Sequence, residues 1–480
     1  MEKAVEQPTH HHTTAPEDRI SIFQKAVYSV GALVNNMQAA AVGSLAIVLN
    51  LGLGMNPALV GLIGAIPRLV DAMSDPFIGY SSDNLRTRYG RRRPFIFFGA
   101  LASGLLFALM FQLYKGHTEH YYFWYFLAFQ CLFVIAFACY SIPWIALGYE
   151  MTPDYHERTR LQGASNFIGQ FAWVVAPWFY TIMNNKTMFP DIVQGSRVLA
   201  IIIGIFIVVG GVLPAIFNKE HFSNLPKPKI EKGFGNVLKD FWSGVLITLR
   251  CRPFVKLCAV TVLIFGGFML ASAFSAYVIF FYVYGGDYSK GGILLGWFGS
   301  ISSVCTFCVI FLTTWLSTKI GKRNTFLITV SLSIIGYALK WIGYDPHQPY
   351  LLLIAAPFIA FGLGSLFTLV CSMVADVCDL DELQTGTRRE GMFGAIYWWM
   401  VKLGLAAASL LSGYLLNATG FNVALGAKQT VHALLYMRLF DIGIPIITSI
   451  IAIFIIMTFD ISEDKAYDVR KQLEERRGKA

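Results

Sequence analysis

Residues 66–94 read IPRLVDAMSDPFIGYSSDNLRTRYGRRRP. The first half is apolar apart from Arg68, Asp71 and Asp75. The second half gathers Arg86, Arg88, Arg91, Arg92 and Arg93. An apolar helix that runs into a basic cluster reads as a membrane span reaching the cytoplasm. Asp71 and Asp75 are four apart and share one helical face, and Arg68, three before Asp71, lies roughly on it. Charges inside a span are costly, so each is a functional candidate by default.

The rest of the chain fits this reading. Of 480 residues, 55% are apolar and only 14% are charged, with a net charge of +9. Soluble domains carry about 25% charged residues. The mean hydropathy is +0.56. These values exclude a disordered chain, a disulfide-stapled secreted module and an ordinary cytosolic enzyme. A helix needs about 20 mostly apolar residues to cross a bilayer. Such runs fall near 25–53, 57–82, 94–115, 121–149, 161–184 and 197–217, then 253–284, 290–318, 325–344, 350–377, 392–417 and 437–460. The expected fold is therefore an all-α membrane protein of twelve transmembrane helices in two six-helix bundles, 25–217 and 253–460.

Residues 218–252 are the expected linker, with an amphipathic piece, NVLKDFWSGVLITL, suited to the membrane interface. The tails are 1–24 and 461–480. Residues 1–20 hold no apolar run, which predicts insertion through the first span rather than a cleaved signal. Lysine and arginine concentrate in the loop after span two, the linker, the loop after span eight and the C-terminal tail. This predicts cytoplasmic termini and linker in an inner (plasma) membrane, and it explains the basic excess without nucleic acid. The loops SSDNLRTRYGRRRP and LSTKIGKRN occupy equivalent places in the two sets of six. Parallel six-span repeats of this kind are the major facilitator architecture, with a site at the midplane between halves.

Cys305 and Cys308 form a CxxC inside an apolar run and read as packing residues. His10, His11 and His12 read as a passive tail. No cofactor is expected, and no metal beyond Na⁺ at Asp71 and Asp75.

The paired carboxylates can act as hard oxygen ligands for a small cation or share a proton. A structural ion pair with Arg68 or with a basic residue elsewhere is the bland alternative. Lys402, in AIYWWMVKLGLAAAS, is expected to face that pair or a substrate oxygen; snorkelling to an interface is its alternative. Ser141 precedes Pro143, whose ring frees a helix carbonyl where a cavity is lined. Asn35, Asn36 and Asn166 carry amides suited to sugar hydroxyls or to interhelical contacts. Trp144 and Trp398 suit stacking on a sugar face or packing. The mixed charges at 150–160 and 376–390 suggest a breakable ionic lock between the halves; a solvated loop is the alternative.

Three stretches carry a family resemblance: 68–95 (RLVDAMSDPFIGYSSDNLRTRYGRRRPF), 143–161 (PWIALGYEMTPDYHERTRL) and 373–404 (MVADVCDLDELQTGTRREGMFGAIYWWMVKLG). Together they resemble the glycoside–pentoside–hexuronide:cation symporters, a melibiose-carrier-like group of the major facilitator superfamily. RYGRRRPFI also resembles sucrose transporters, which lack the aspartate pair. The resemblance implies Na⁺- or H⁺-coupled symport of a sugar or glycoside by alternating access. It implies a cation at Asp71 and Asp75, assisted by Ser141. The substrate would lie among Asn35, Asn36, Arg68, Trp144, Asn166, Trp398 and Lys402. Arg158, Asp376, Asp379, Glu382 and Arg388 would form the cytoplasmic gate. A monomer in contact with membrane lipid is expected, and no enzyme.

The chain departs from the melibiose type at four places. Asn35 and Asn36 replace a Lys–Asp pair, Ser141 an Asp, and Asn166 an Arg. The neutral pocket suits a neutral glycoside, or an amphiphile as in the family's animal lysolipid carriers. A non-transporting membrane sensor is the remaining alternative.

Overall fold

The computed structural model describes residues 19–85, 87–152, 155–218, 220, 248–385, 390–422, 425–461 and 463–476. The histidine cluster, nearly all of the amphipathic linker piece and Arg388 lie outside these residues, as does the Arg158 side chain. The described chain is helical throughout. We number the helices α1 (Ile22–Leu51), α2 (Pro57–Asn84), α3 (Arg93–Met110), α4 (Glu119–Glu150), α5 (Tyr155–Val175, continued by short turns to Met183) and α6 (Ile192–Phe217). The second set is α7 (Arg252–Val283), α8 (Tyr288–Ile320), α9 (Lys322–Gly343), α10 (Pro349–Thr385), α11 (Glu390–Ala418) and α12 (Val431–Met457). A further helix, α13 (Glu463–Arg476), falls in what sequence alone suggests is a plain tail; it packs Val469 and Leu473 inward against the end of α10.

Among the described residues, eleven helices are long and apolar enough to cross a membrane. The expected twelfth, α5, is helical but too polar for that criterion, because Glu157, Arg160, Gln162, Asn166 and Gln170 lie along it. A polar span is stable only where protein or a wet cavity covers its polar side.

Short connections make successive helices alternate in direction. The face carrying the start of α1 and the end of α12 is called here the terminal face. Helices entering from the opposite face, α10 excepted, are capped by side chains. Asn56 accepts from Ala58 N–H, Thr118 from Tyr121, Asp191 from Gln194, Asp287 from Ser289 and Thr430 from Ala433. Such caps satisfy helix-end donors that lipid cannot. At the terminal face α3 is capped differently: the Glu220 carboxylate accepts the backbone N–H groups of Arg91, Arg92 and Arg93 at 2.8–3.0 Å. Gly90, at φ 107°, turns the chain there, and a Cβ would strike that carboxylate.

Within the first six helices the main packings are α3 on α4 and α6, α1 on α5 and α6, and α2 on α4. Within the second they are α7 on α11 and α12, and α10 on α8 and α9. Two seams join the sets, α2 on α11 and α5 on α8. Small residues allow both close approaches. Gly61 and Gly64 lie against Ser409, and Gly413 against Pro57. Gly292, Gly296 and Gly299 lie against Thr181, Trp178 and Pro177. Trp178 Nε1 donates to Ser300 Oγ at 2.8 Å, which in turn donates to Val174 O at 2.9 Å.

The buried apolar residues divide unequally. One cluster runs through α1–α6 and continues into the far ends of α7, α8 and α12, with Phe274, Val278, Leu294 and Met437. A separate cluster fills the terminal end of the second set, with Phe254, Val330, Val377 and Phe393. The core is therefore continuous between the two sets away from the terminal face and split towards it. A Leu at 296 would place its Cβ 2.8 Å from the Trp178 ring. Gly296→Leu is expected to part the α5–α8 seam, read as a longer spin-label distance between α5 and α8 than in the parent.

Candidate functional site

The site forms where α2 and α11 cross in mid-bundle. Lys402 Nζ lies 3.1 Å from Asp71 Oδ2 and bonds the Asp75 carboxylate. Asp71 and Asp75 are one turn apart on α2, so both carboxylates face the single ammonium of α11. Asp71 is nearly enclosed, with 7% of its side chain exposed; Asp75 is 30% exposed and Lys402 24%. The residual exposure is on the Asp75–Lys402 side, where an ion or substrate has access. Two carboxylates against one ammonium leave one formal negative charge in low dielectric, a costly balance unless a proton or cation completes it. Lys402 also settles its own alternatives: it is paired within the bundle rather than snorkelling.

Arg68 does not form the alternative ion pair with Asp71. Although three residues from Asp71, it makes no ion pair or hydrogen bond among the described residues. The aspartates pair instead with Lys402, a basic residue elsewhere in the chain, an arrangement that suits a structural ion pair as well as a cation site.

The other candidates surround this centre to different degrees. Ile142 lies against Gly79, one turn along α2 from Asp75, which places Ser141 beside the same stretch. The Ser141 hydroxyl makes no hydrogen bond among the described residues. Asn35 Nδ2 donates to Asn36 Oδ1 at 3.5 Å, and Asn35 Oδ1 is buried without a partner. The Asn36 amide lies against Gly169 of α5. Asn166, on α5, is exposed. Trp398 precedes Lys402 by one turn on the same face of α11; it is 53% exposed and stacks on Phe367 at 5.9 Å.

Trp144 is a correction. Its ring is buried and stacks on Tyr28 at 4.9 Å, and its indole edge fills the gap left by Gly31. It packs α1 on α4 rather than presenting a face to a ligand. Gln38 of α1 was missed: it is fully buried, and neither amide atom has a partner among the described residues. It lies three residues beyond Asn35 on the same helix, and the rule that singled out polar residues in spans applies to it equally.

Of the expected gate residues, Asp376 pairs within its own set of helices. Asp376 receives both of its described bonds from Lys322 of α9, at 2.7 Å. Glu150 pairs with Arg91 and, at 2.7 Å, with Arg92. Glu157 accepts the Ile20 N–H at 3.0 Å and pairs with Lys25. Each of these pairs joins helices of the same six. The expected lock between the halves is thus replaced, for Asp376, by a clasp inside the second set, consistent with a core that is split at this face. Asp379 and Glu382 share the terminal stretch of α10.

A family model described as MFS/sugar transport protein matches residues 27–463. The "Glucuronide carrier protein homolog" of Escherichia coli (strain K12) is 24% identical over 94% of this chain and 95% of its own length. The "Isoprimeverose transporter" of Lactiplantibacillus pentosus is 23% identical over 82% of this chain and 79% of its own. The "Sodium-dependent lysophosphatidylcholine symporter 1-B" of Danio rerio is 23% identical over 96% and 91%. Among solved structures, a bacterial homolog of the human lysosomal transporter Spinster, crystallised inward-facing and unoccupied, superposes with a TM-score of 0.65. It is 16% identical over 94% of this chain and 98% of that one.

Proposed function

This chain belongs to the MFS/sugar transport family, in its glycoside–pentoside–hexuronide:cation symporter branch, and we propose that it couples the uptake of a neutral sugar or glycoside to one Na⁺ or H⁺. The observation that carries the proposal is the Asp71–Asp75–Lys402 centre, which joins the two sets of helices and is one positive charge short.

The coupling follows from that balance. Lys402 holds the place of a cation at the two carboxylates. An arriving Na⁺ or H⁺ neutralises one negative charge, aided by the Ser141 hydroxyl, and weakens the hold on the ammonium. Lys402 is then free to donate to a substrate oxygen. The substrate bridges α1, α5 and α11 through Asn36, Asn166 and Trp398, with Asn35, Gln38 and Arg68 close by on α1 and α2. Cation and substrate together replace the bond between α2 and α11, and the halves rock about the site. With the terminal face cytoplasmic, as the basic loops suggest, the conformation described corresponds to the inward-facing state. The lock of Arg158, Asp376, Asp379, Glu382 and Arg388 then belongs to the opposite state, in which Asp376 leaves Lys322. The protein acts in the inner (plasma) membrane as a monomer, without catalytic chemistry.

Such coupling is reciprocal. Saturating cation is expected to tighten substrate binding about 5- to 150-fold, and substrate to tighten cation binding by the same factor. Calorimetry of the purified protein, with each ligand titrated in the presence and absence of the other, reads both arms.

A lysolipid substrate is the second reading, favoured by the neutral amides and by the likeness to the zebrafish symporter. Proteoliposomes with an imposed Na⁺ or pH gradient, offered labelled glycosides and labelled lysophosphatidylcholine in parallel, decide between them. Gradient-driven accumulation of a glycoside supports the proposal. Accumulation of lysolipid alone replaces it with the second reading.

A further inference from the structure

A second charged cluster lies inside the second set, away from the site. Asp441 of α12 is fully buried, and Lys340 of α9 is 1% exposed. Lys340 Nζ lies 2.6 Å from the Asp441 carboxylate. Ser275 of α7 donates to Asp441 Oδ1 at 2.8 Å and accepts from Lys340 Nζ at 2.8 Å. Tyr344 OH, just past the end of α9, donates to Asp441 Oδ2 at 2.6 Å. Both carboxylate oxygens are therefore occupied by donors from α7, from α9 and from the residue that follows α9. A buried pair survives in lipid only when its lone pairs and protons are used in this way.

The position of Ser275 gives the cluster a consequence beyond packing. Two residues later, Tyr277 OH crosses to the first set and donates to Asn50 Oδ1 at 3.0 Å. Asn50 Nδ2 in turn donates to Met55 O at 2.6 Å and so shapes the turn between α1 and α2. From Val278 to Val283 α7 becomes a π-helix, a local irregularity frequent at functional sites and read here as the joint of α7. That joint is clamped from the same side. Arg438, three residues before Asp441, stacks on Tyr282 and on Trp341, each at 4.2 Å.

We propose that the Lys340–Asp441 pair is a strap that positions the far end of α7 through Ser275, and that it thereby holds the non-terminal face closed through Tyr277 and Asn50. Ser275, Lys340 and Asp441 are positioning residues: none of them touches the Asp71–Asp75–Lys402 centre. Opening at this face then needs the α7 joint to shift, and the strap sets how readily it does.

Hydrogen–deuterium exchange on the purified, substrate-free protein tests this. Ser275→Ala keeps the ion pair and the Tyr344 bond but releases α7. It is expected to speed exchange about tenfold at 278–286 and at 50–56, while α9 and α12 exchange as in the parent. Ser275→Thr, which keeps the hydroxyl, restores slow exchange. Tyr277→Phe speeds 50–56 and leaves 278–286 slow. If Ser275→Ala does not fold, Ser275→Thr against its isostere Ser275→Val carries the comparison, with only Val fast. Parent-like exchange at 278–286 in the Ala or Val variant overturns the strap. Fast exchange there with no change at 50–56 overturns its link to the seam. The meaning of the strap rests on the transport reading, but its test does not, because failed transport by the parent would leave these exchange rates as they are.

Discussion

Asp75→Asn is expected to abolish cation-driven accumulation while leaving a folded protein. In the parent, two carboxylates share one ammonium, so the site lacks one positive charge. The substitution leaves Asp71 and Lys402, a balanced pair at 3.1 Å. That pair keeps α2 on α11 and spares the fold the loss of about 3–5 kcal/mol that follows when a buried charge loses its only partner. With charge already balanced, a cation gains nothing by entering. Substrate that still binds is then carried only down its own gradient. Vesicle uptake with and without an imposed gradient separates the two. The mutant is expected to equilibrate substrate without concentrating it, whereas the parent accumulates it. Accumulation by the mutant equal to that of the parent would remove the aspartate pair from the mechanism.

Lys402→Met is expected to have the opposite effect on the cation. The ammonium occupies both carboxylates, so a cation must compete with it. Met keeps the length and apolar packing of the chain and removes the competitor. Two neighbouring carboxylates without a counter-charge then draw in Na⁺ or H⁺ more strongly. A tenfold lower half-saturating cation concentration corresponds to about 1.4 kcal/mol, a modest fraction of what a partly buried ion pair contributes, so at least that shift is expected. Transport itself is expected to fail, because bound cation no longer releases a group that recruits substrate. Thermal stabilisation titrated with Na⁺ at fixed pH, and with pH at fixed Na⁺, reads the shift and identifies the ion. Weaker cation stabilisation in this variant would mean that Lys402 helps to build the cation site instead of competing for it.

The comparison of sequence and structure is instructive at particular residues. Asp71, Asp75 and Lys402 were legible because each sits deep in an apolar run, where a charge has few bland explanations. Their meeting was foreseeable only as one of two possibilities, since nothing in a single chain says which helices cross. Lys340 and Asp441 were as legible in principle and were missed. The apolar runs suggested spans at 325–344 and 437–460, which put both charges near span ends, where lysines and aspartates reach water. Helix α12 begins at Val431 instead, so Asp441 lies ten residues in, about 15 Å from the helix start at 1.5 Å per residue.

The fifth span, expected at 161–184, is helical over Tyr155–Val175 and continues by short turns to Met183. Its polar residues lower its hydropathy below that of the other spanning helices, and although it packs on α1 and α8, Arg160 and Asn166 stay exposed. The partners of the gate residues were not legible for a third reason. Asp376 could be recognised as a partner for a basic residue, but its choice of Lys322 in its own half depends on the conformation, which no sequence pattern encodes. Trp144 likewise depends on shape: Gly31, more than a hundred residues away, makes the space that its indole fills.

The central claim, that one cation and one substrate move together through the Asp71–Asp75–Lys402 centre, is tested most directly by running the coupling backwards. Proteoliposomes are loaded with a cation-sensitive dye, held at zero membrane potential with equal cation on both sides, and given an inward gradient of the glycoside that the uptake screen selects. The account predicts that the substrate gradient alone drives Na⁺ or H⁺ inward against its own rising gradient, and that Asp75→Asn abolishes this movement. Inward flow of substrate with no accompanying cation would contradict it.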